Sequence, residues 1–357
     1  MTEATRRAVF TISVDGGDVT GNFAPYLISM SIKLADGGKS DTFECTLDDA
    51  GGQIALPREG ATLRATLAWA DGGGRIEFEG KTDEPASEGS RGGGMILSLS
   101  AKAADMKGRG KAKKERHKDD ATFEEAAKHF AEGSGFEVKI DGDLAKVKRD
   151  YWAMANESFF SWGARIAEEL GATFKAMGGK AVFVPRNSGK SVSGQPLQTV
   201  RAEVGVNLIN WRLSPVQNRA RYRKARVRHY DRKEAKWNVE DVEIDGALDS
   251  DLVETVKAAN KDNAKDRATA NSEESKRGKG GGSITIDGDP AAQAQAPCVV
   301  AGVRAGIDGD YRITSATHTL SRGSGWTTQC ELEQPQGAAG ADGRKAGKQA
   351  GETGHRP

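Results

Sequence analysis

This 357-residue sequence has few cysteines, no long apolar run and almost no excess of one charge. The three cysteines are an odd number, and none has the CxxC or Cys/His spacing of a disulfide framework or a zinc site. Because Cys45, Cys298 and Cys330 all lie in or beside apolar, strand-like runs, we expect buried free thiols at these positions.

No stretch approaches the ~20 apolar residues that a helix needs to cross a bilayer. Residues 1–7 are polar and basic, and the apolar segment 9–14 is too short for the core of a signal peptide. We therefore expect a protein that is made and kept in the cytoplasm, with no membrane insertion. The 52 Lys and Arg residues nearly balance the 51 Asp and Glu residues, so no overall field attracts nucleic acid or acidic lipid.

Motifs of catalysis are missing as well. The Gly-Lys-Ser triplet at 189–191 resembles the end of a phosphate-binding loop, but Val184 stands where that loop needs glycine. The Gly-Ser-Gly triplets at 133–135 and 323–325 lack the spacing of a nucleophile elbow. The five histidines are scattered and form no HxH or HExxH pair. The sequence therefore predicts no enzyme activity, no cofactor and no metal site.

One short element, Ile-Asp-Gly-Asp, occurs at 140–143, 286–289 and 307–310. A calcium-binding loop is one interpretation, although the ligand spacing and the bidentate Glu of an EF-hand are missing. Asp-Gly after a strand residue is also the usual composition of a hairpin turn, and the sequence favours this second interpretation.

Glycine, with 45 residues, and charged residues, at 29%, are abundant and suit a β-rich body with tight turns and a polar surface. In the first region, residues 1–104, six segments are β-branched or alternate apolar with polar residues. They are 9–14, 26–34, 42–47, 62–69, 75–81 and 95–101. Six such strands predict a small barrel or sandwich.

The second region, residues 105–197, is predicted to be an α/β insert. Thr122 and Glu125 have the spacing of a capping box at the start of a helix. A second amphipathic helix is predicted at 158–170, followed by a hairpin at 173–184.

In the third region, residues 198–334, strand-like segments return, with a helical and flexible insertion at about 249–282. The strand segments are 206–213, 219–230, 239–245 and a last β section at 283–333. Residues 335–357 lack apolar periodicity and are predicted to form an extended C-terminal tail.

A row of arginines on one predicted strand is the candidate binding feature. This cationic strip consists of Arg219, Arg221, Arg223, Arg226 and Arg228. The alternation changes phase after Lys224, which indicates a β-bulge. The strip could face a channel or a partner, or it could form ion pairs with the acidic residues at 240–245 of the next strand, and the sequence favours ion pairs. The basic run 111–118 is interpreted in the same way, as a solvated linker.

The last β section carries a more specific pattern. It combines a Gly-x-Tyr-x-Ile strand at Tyr311, then His318, then a Gly-Trp-x-Thr strand at Trp326. This pattern resembles the closing segment of the phage late control gene D family, which shares its fold with the hub half of VgrG-type spike proteins. Trp162 and Arg165 lie in a segment that is similar to the second helix of this family.

Two further segments, 104–125 and 223–231, resemble the family in the same order, so the resemblance spans about residues 9–335. It implies a mixed β and α+β fold, with two tube-like β-barrel domains joined by the α/β insert. Three subunits would then present six barrels in a ring, and this homotrimer would join a sixfold tail tube to a threefold spike.

The resemblance also implies a structural hub in the baseplate of a phage virion, assembled in the cytoplasm of the host bacterium. The implied partners are the tail tube, baseplate wedge and tape-measure proteins. Because the sequence ends at Pro357 without a spike-like extension, we expect the spike to be a separate polypeptide. Two alternatives are a nucleic-acid-binding protein that uses residues 219–228 and a tail-associated wall-degrading enzyme, although sequence-specific nucleic-acid binding is not expected.

Overall fold

The structure, a computed structural model, describes residues 6–36, 39–103, 109–177, 179–186, 188–189, 195–214, 222–231, 234–244, 251–254, 257–277 and 280–340. The helices are α1 (Thr20–Phe23), α2 (Phe123–Ala131), α3 (Gly142–Ala145), α4 (Phe159–Glu169) and α5 (Lys261–Arg277).

The strands of the first region are β1 (Ala8–Val14), β2 (Gly17–Asp18), β3 (Leu27–Ala35), β4 (Thr42–Asp48), β5 (Thr62–Trp69), β6 (Arg75–Thr82), β7 (Ala86–Ser90) and β8 (Gly94–Lys102). Those of the insert are β9 (Lys114–Thr122), β10 (Glu137–Ile140), β11 (Lys148–Glu157), β12 (Ala172–Met177) and β13 (Lys180–Pro185). The remaining strands are β14 (Val200–Glu203), β15 (Leu208–Ser214), β16 (Lys224–Asp231), β17 (Lys236–Glu243), β18 (Leu252–Val253), β19 (Gly281–Asp287), β20 (Pro297–Ala301), β21 (Gly309–Ser321) and β22 (Gly325–Gln336).

One large sheet, the shared sheet, contains strands from both ends of the chain. Its hydrogen-bonded order is β15-β19-β22-β21-β3-β4-β8-β6-β5-β1-β2, and β7, β14 and β20 pair at its side. We call β1–β8 the first lobe, and β14, β15 and β19–β22 the second lobe. The mostly β fold is confirmed. The strand pairing of the described residues is an open path, however, and not two closed barrels as the sequence suggested.

Each lobe has its own apolar core, because alternate residues of its strands point inward. Ile12, Phe43 and Leu63 in the first core are at most 1% exposed, and Tyr311 and Ile313 in the second are at most 2% exposed. Burial of each large side chain stabilises the fold by about 1.5–3 kcal/mol. All three cysteines are free and buried, as expected.

The insert packs α2 and α4 on the hairpin of β12 and β13 around a third core. The predicted capping box is present, since the Thr122 hydroxyl accepts from the Glu125 amide and the Glu125 carboxylate accepts from the Thr122 amide. The basic run 111–118 was expected to be a linker, and this was wrong from Lys114 onward. It forms most of β9, which pairs with β11 although its own residues show no apolar alternation.

A smaller sheet, β17-β16-β18, packs against α5. The helical part of the insertion predicted at about 249–282 is α5, which begins at Lys261 and continues to Arg277. Its buried positions Ala264, Ala268 and Ser272 lie one turn apart, and such small side chains let a helix approach a sheet without the Leu stripe of an ordinary amphipathic helix. β16 pairs with β17 without a change of register, so the predicted bulge is absent from 224–231.

The start of the expected tail packs on the second lobe. β22 extends to Gln336, the Gly340 amide donates to the Gly306 carbonyl, and Ala339 is 7% exposed in the second core. The rest of the tail, 341–357, lies outside the described residues. No described helix is long and apolar enough to span a membrane.

Candidate assembly surfaces

The two lobes meet where β3 and β21 pair as antiparallel neighbours inside the shared sheet, from Ser29 opposite Ser321 to Ala35 opposite Ser315. Ile32 lies opposite His318 in this register, and both side chains are 0% exposed. Both cores therefore lie on the same face of the shared sheet.

The opposite face of the shared sheet is polar across both lobes. One cross-strand row runs over six neighbouring strands and consists of Ser100, Glu44, Ser31, Thr319, Thr327 and Asp287. The next row consists of Lys102, Thr42, Lys33, Thr317, Gln329 and Thr285. All members are half-buried or exposed. We call this surface the polar sheet face. These rows exist only once the strand order and register are known, so the sequence alone does not reveal this face.

Aromatic residues link the lobes on the core side. The indole rings of Trp69 and Trp326 stack with centroids 4.8 Å apart, and the Trp69 indole N–H donates to the Gly288 carbonyl at 3.0 Å. A Cβ on Gly288 would lie 2.4 Å from the Trp326 ring, so only glycine fits here without movement. Trp326 therefore positions the first lobe against the second.

His318 lies beside Trp326, with ring centroids 6.1 Å apart, and fixes the loop that follows β19. Its Nε2 is 2.9 Å from the Ala292 carbonyl and its Nδ1 is 3.1 Å from the Thr328 hydroxyl, which also accepts from the Asp289 amide. A neutral ring that donates from Nε2 satisfies all these groups. Burial lowers the pKa of His318 to about 4, which agrees with a neutral structural ring.

The other signature residues also have structural surroundings. Tyr311 lies in the second core, where its hydroxyl donates to the Ile307 carbonyl at 2.6 Å. Trp162 is 0% exposed in the core of the insert. Arg165 lies on the surface of α4 and pairs with Glu157 and Glu169. The structure thus brings His318 and Trp326 together and places the other three residues elsewhere.

The described part of the cationic strip is largely ion-paired. Arg226 contacts Asp251 at 2.9 Å and Asp241 at 3.9 Å, and Arg223 contacts Asp251 at 3.4 Å. Arg228 is exposed opposite Val239, while Arg219 and Arg221 lie outside the described residues. A role of the strip at a channel or partner stays a prediction. Among the described residues, no cluster of three or more His, Cys, Asp or Glu side chains could hold a metal ion.

Comparisons with known proteins agree with the sequence pattern. No protein-family model matches the chain. The probable baseplate hub protein of Escherichia phage 186 is 28% identical over 188 residues, 53% of this chain and 48% of that protein. Over these residues the chain is similar to a phage baseplate hub protein. The counterpart in Escherichia phage P2 is 28% identical over 191 residues, 54% of this chain and 49% of that protein. The chain thus matches about half the length of these curated relatives.

Solved structures share the fold over most of the chain. A tail protein from Neisseria meningitidis MC58 has a TM-score of 0.68 at 16% identity and covers 92% of this chain and 96% of its own. The E. coli c3393 protein, a type VI secretion component described as similar to the T4 tail proteins gp27 and gp5, has a TM-score of 0.54 at 9% identity and covers 90% and 76%. A chain of the Francisella PdpA–VgrG complex has a TM-score of 0.52 at 9% identity and covers 93% and 59%. The resemblance to hub and VgrG-type proteins that the sequence indicated is confirmed.

Proposed function

We propose that this chain is a structural baseplate hub subunit of a contractile phage tail or a related injection particle, and that it is not an enzyme. The observation that carries the proposal is the shared sheet, in which two lobes of one chain stand side by side with their cores on one face. Three copies of such a chain supply six lobes, which is the number needed to continue a sixfold tube above a threefold spike.

In this proposal the polar sheet face lines the channel of the ring, and each lobe acts as one tube-like unit. Most side chains there are short hydroxyls. The first row also carries acidic residues such as Glu44, and the second row carries basic residues such as Lys33. This surface offers a passing polymer neither an apolar patch nor a strong field of one sign. The lining is therefore suited to transport rather than to retention.

The proposed partners are a separate spike protein, the tail tube protein, and the wedge and tape-measure proteins, at the baseplate of a virion assembled in the host bacterial cytoplasm. The names of the phage 186 and P2 relatives support this location. Binding of nucleic acid through the cationic strip has less support, because Asp251 contacts both Arg223 and Arg226, and Asp241 also contacts Arg226.

Imaging of the particle tests the function. A small affinity tag is placed on the chain, the producing strain is induced, and particles are examined by electron microscopy with gold-labelled ligand. We expect label on the axis of the tail tip and sedimentation of the purified chain as a species three times its 37.9 kDa mass. Label along the tube or sheath, or particles that carry none, contradicts the hub role.

A further inference from the structure

The small sheet β17-β16-β18 is separate from the shared sheet and buries only one of its faces. On that face, Val227 of β16 packs against Ala264 and Ala268 of α5. The residues that alternate with Val227 point to the other side. There the register forms three cross-strand pairs, which are Tyr230 with Trp237, Arg228 with Val239, and Arg226 with Val253. We call this side of the small sheet the outer face.

The outer face presents several large apolar side chains to solvent side by side. Trp237, Val239 and Val253 are 52%, 47% and 49% exposed, and Tyr230 is 41% exposed. The Tyr230 and Trp237 rings touch, with centroids 5.2 Å apart. A single exposed apolar residue is common, but a contiguous group with a polar rim marks an interaction site. Trp, Tyr and Arg are also the residues that contribute most to binding at such sites.

A cleft of about 870 Å³ between the small sheet and the insert adjoins the outer face. Tyr230 and Lys257 line this cleft from the side of the small sheet, and Tyr151 lines it from the insert. His229 also lines the cleft. It is only 3% exposed, and its buried Nδ1 has no hydrogen-bond partner. Buried polar atoms are almost always hydrogen-bonded, so an unpartnered nitrogen in the wall of a cleft points to a polar group of a ligand.

The charges that are available to a partner on the outer face are positive. Lys224 and Arg226 form ion pairs with acids of β17 or with Asp251. Arg228 and Lys257 are exposed, and among the described residues no acid forms an ion pair with either of them. The Lys257 ammonium lies 4.4 Å from the centroid of the Trp237 ring. A partner would therefore meet two uncompensated cations beside an aromatic surface.

We propose that the outer face binds a segment of another protein in which acidic side chains flank an aromatic or aliphatic residue. The acids pair with Arg228 and Lys257, and the apolar residue covers Trp237 and Val239. The segment then continues past Tyr230 into the cleft. This inference goes beyond the hub role and does not depend on the homotrimer.

Single-stranded nucleic acid also binds to aromatic and cationic surfaces, but it fits the outer face less well. Its backbone is charged at every nucleotide and would also meet Asp241 and Glu243, which lie on the same face opposite Arg226 and Lys224. A peptide places its acids only where the cations stand.

Selection from a peptide library tests the chemistry of the partner. Short random peptides displayed on yeast are sorted against the purified full chain, and the peptide that binds most tightly is labelled and titrated by fluorescence anisotropy. We expect Asp and Glu to be enriched beside Trp, Phe or Leu in the selected peptides. A selection that yields no binder, or binders without acidic residues, overturns the proposal.

Substitutions then locate the site of the selected peptide. Trp237→Ala should raise its Kd by about tenfold or more, because it removes the aromatic anchor. Arg228→Glu should raise the Kd by a similar factor, because it places like charges opposite each other. Leu56→Ala, at a residue that is 61% exposed in the first lobe, is the matched control and should leave the Kd unchanged. All three side chains are exposed, and circular dichroism checks that each variant is folded. An unchanged Kd in both outer-face variants overturns the proposal.

Two further measurements separate this site from the alternatives. A labelled single-stranded oligothymidylate is titrated in the same way, and binding that is tighter than that of the peptide and lost in the same variants overturns the proposal in favour of nucleic acid. Gold label on the axis of the tail tip tests the hub role independently of the peptide. Label at the tip without peptide binding therefore overturns only the outer-face site, and peptide binding without label at the tip contradicts only the hub role.

Discussion

Replacement of His318 by glutamine tests whether the imidazole between the two lobes is neutral in the folded chain. The ring is 0% exposed, and each of its nitrogens already faces one partner, Thr328 or Ala292. A second ring proton would have to displace the hydrogen of the Thr328 hydroxyl. Burial lowers the pKa of His318 from its ordinary 6.5 to about 4.

The sign of the effect follows from the two states. Between pH 6.5 and 4 the unfolded chain binds a proton at His318 that the folded chain does not. The free energy of unfolding therefore keeps its full value above pH 6.5 and falls as the pH approaches 4. The titration of this one group lowers the free energy of unfolding by about 2 kcal/mol at pH 5 and by about 3 kcal/mol at pH 4.

Urea unfolding of the wild type and of His318→Gln at pH 8, 6 and 5 measures this effect. At pH 8 the variant should be less stable by about 1–2 kcal/mol, because glutamine replaces the imidazole hydrogen bonds imperfectly. Glutamine does not titrate, so the difference should shrink by about 2 kcal/mol at pH 5. A difference that stays constant or widens would mean that His318 is charged in the folded protein and would refute the argument.

Two further substitutions test packing and charge. Gly288→Ala should destabilise the chain by about 1–3 kcal/mol in urea unfolding, because the new Cβ meets Trp326, whereas Gly323→Ala has open space and should change little. Arg149→Met should cost about 1.5–3 kcal/mol, since it removes the buried partner of Glu169 and leaves that carboxylate with the more exposed Arg165 alone; the side chains of Arg149 and Glu169 are 10% and 13% exposed. Arg64→Met breaks an exposed pair and should cost less than about 1 kcal/mol in the same assay. Equal losses within either pair of variants would contradict the packing or the buried-charge argument.

Signals that act over a few residues made much of the fold predictable. The capping box at Thr122 and the helix that begins at Phe159 depend on neighbours along the chain, and both are present. The sequence-based predictions were wrong where contacts between residues far apart in the sequence decide the structure. β9 has no apolar alternation of its own and is a strand because β11 lies beside it. The buried face of α5 consists of small residues such as Ala264, which give little hydrophobic signal in the sequence.

The candidate surfaces were predictable only in part. His318 and Trp326 were found through a family resemblance, and the structure shows what they do, which is to join β21 and β22 to the loop at Gly288 and to the first lobe. The polar sheet face could not be found in this way. Ser31 and Thr319 are ordinary polar residues until β3 and β21 are known to pair.

The pairing of β3 with β21 also constrains how the chain is made. Strands from opposite ends of the sequence must meet. One edge of β3 therefore lacks its hydrogen-bonding partner when β3 leaves the ribosome, and β21 becomes available only when synthesis is almost finished. Contacts of such long sequence separation slow folding and prolong exposure to wrong partners. Fragments that stop after β8 should therefore accumulate as aggregates, and the nascent protein should depend on chaperones for nearly the whole of its translation.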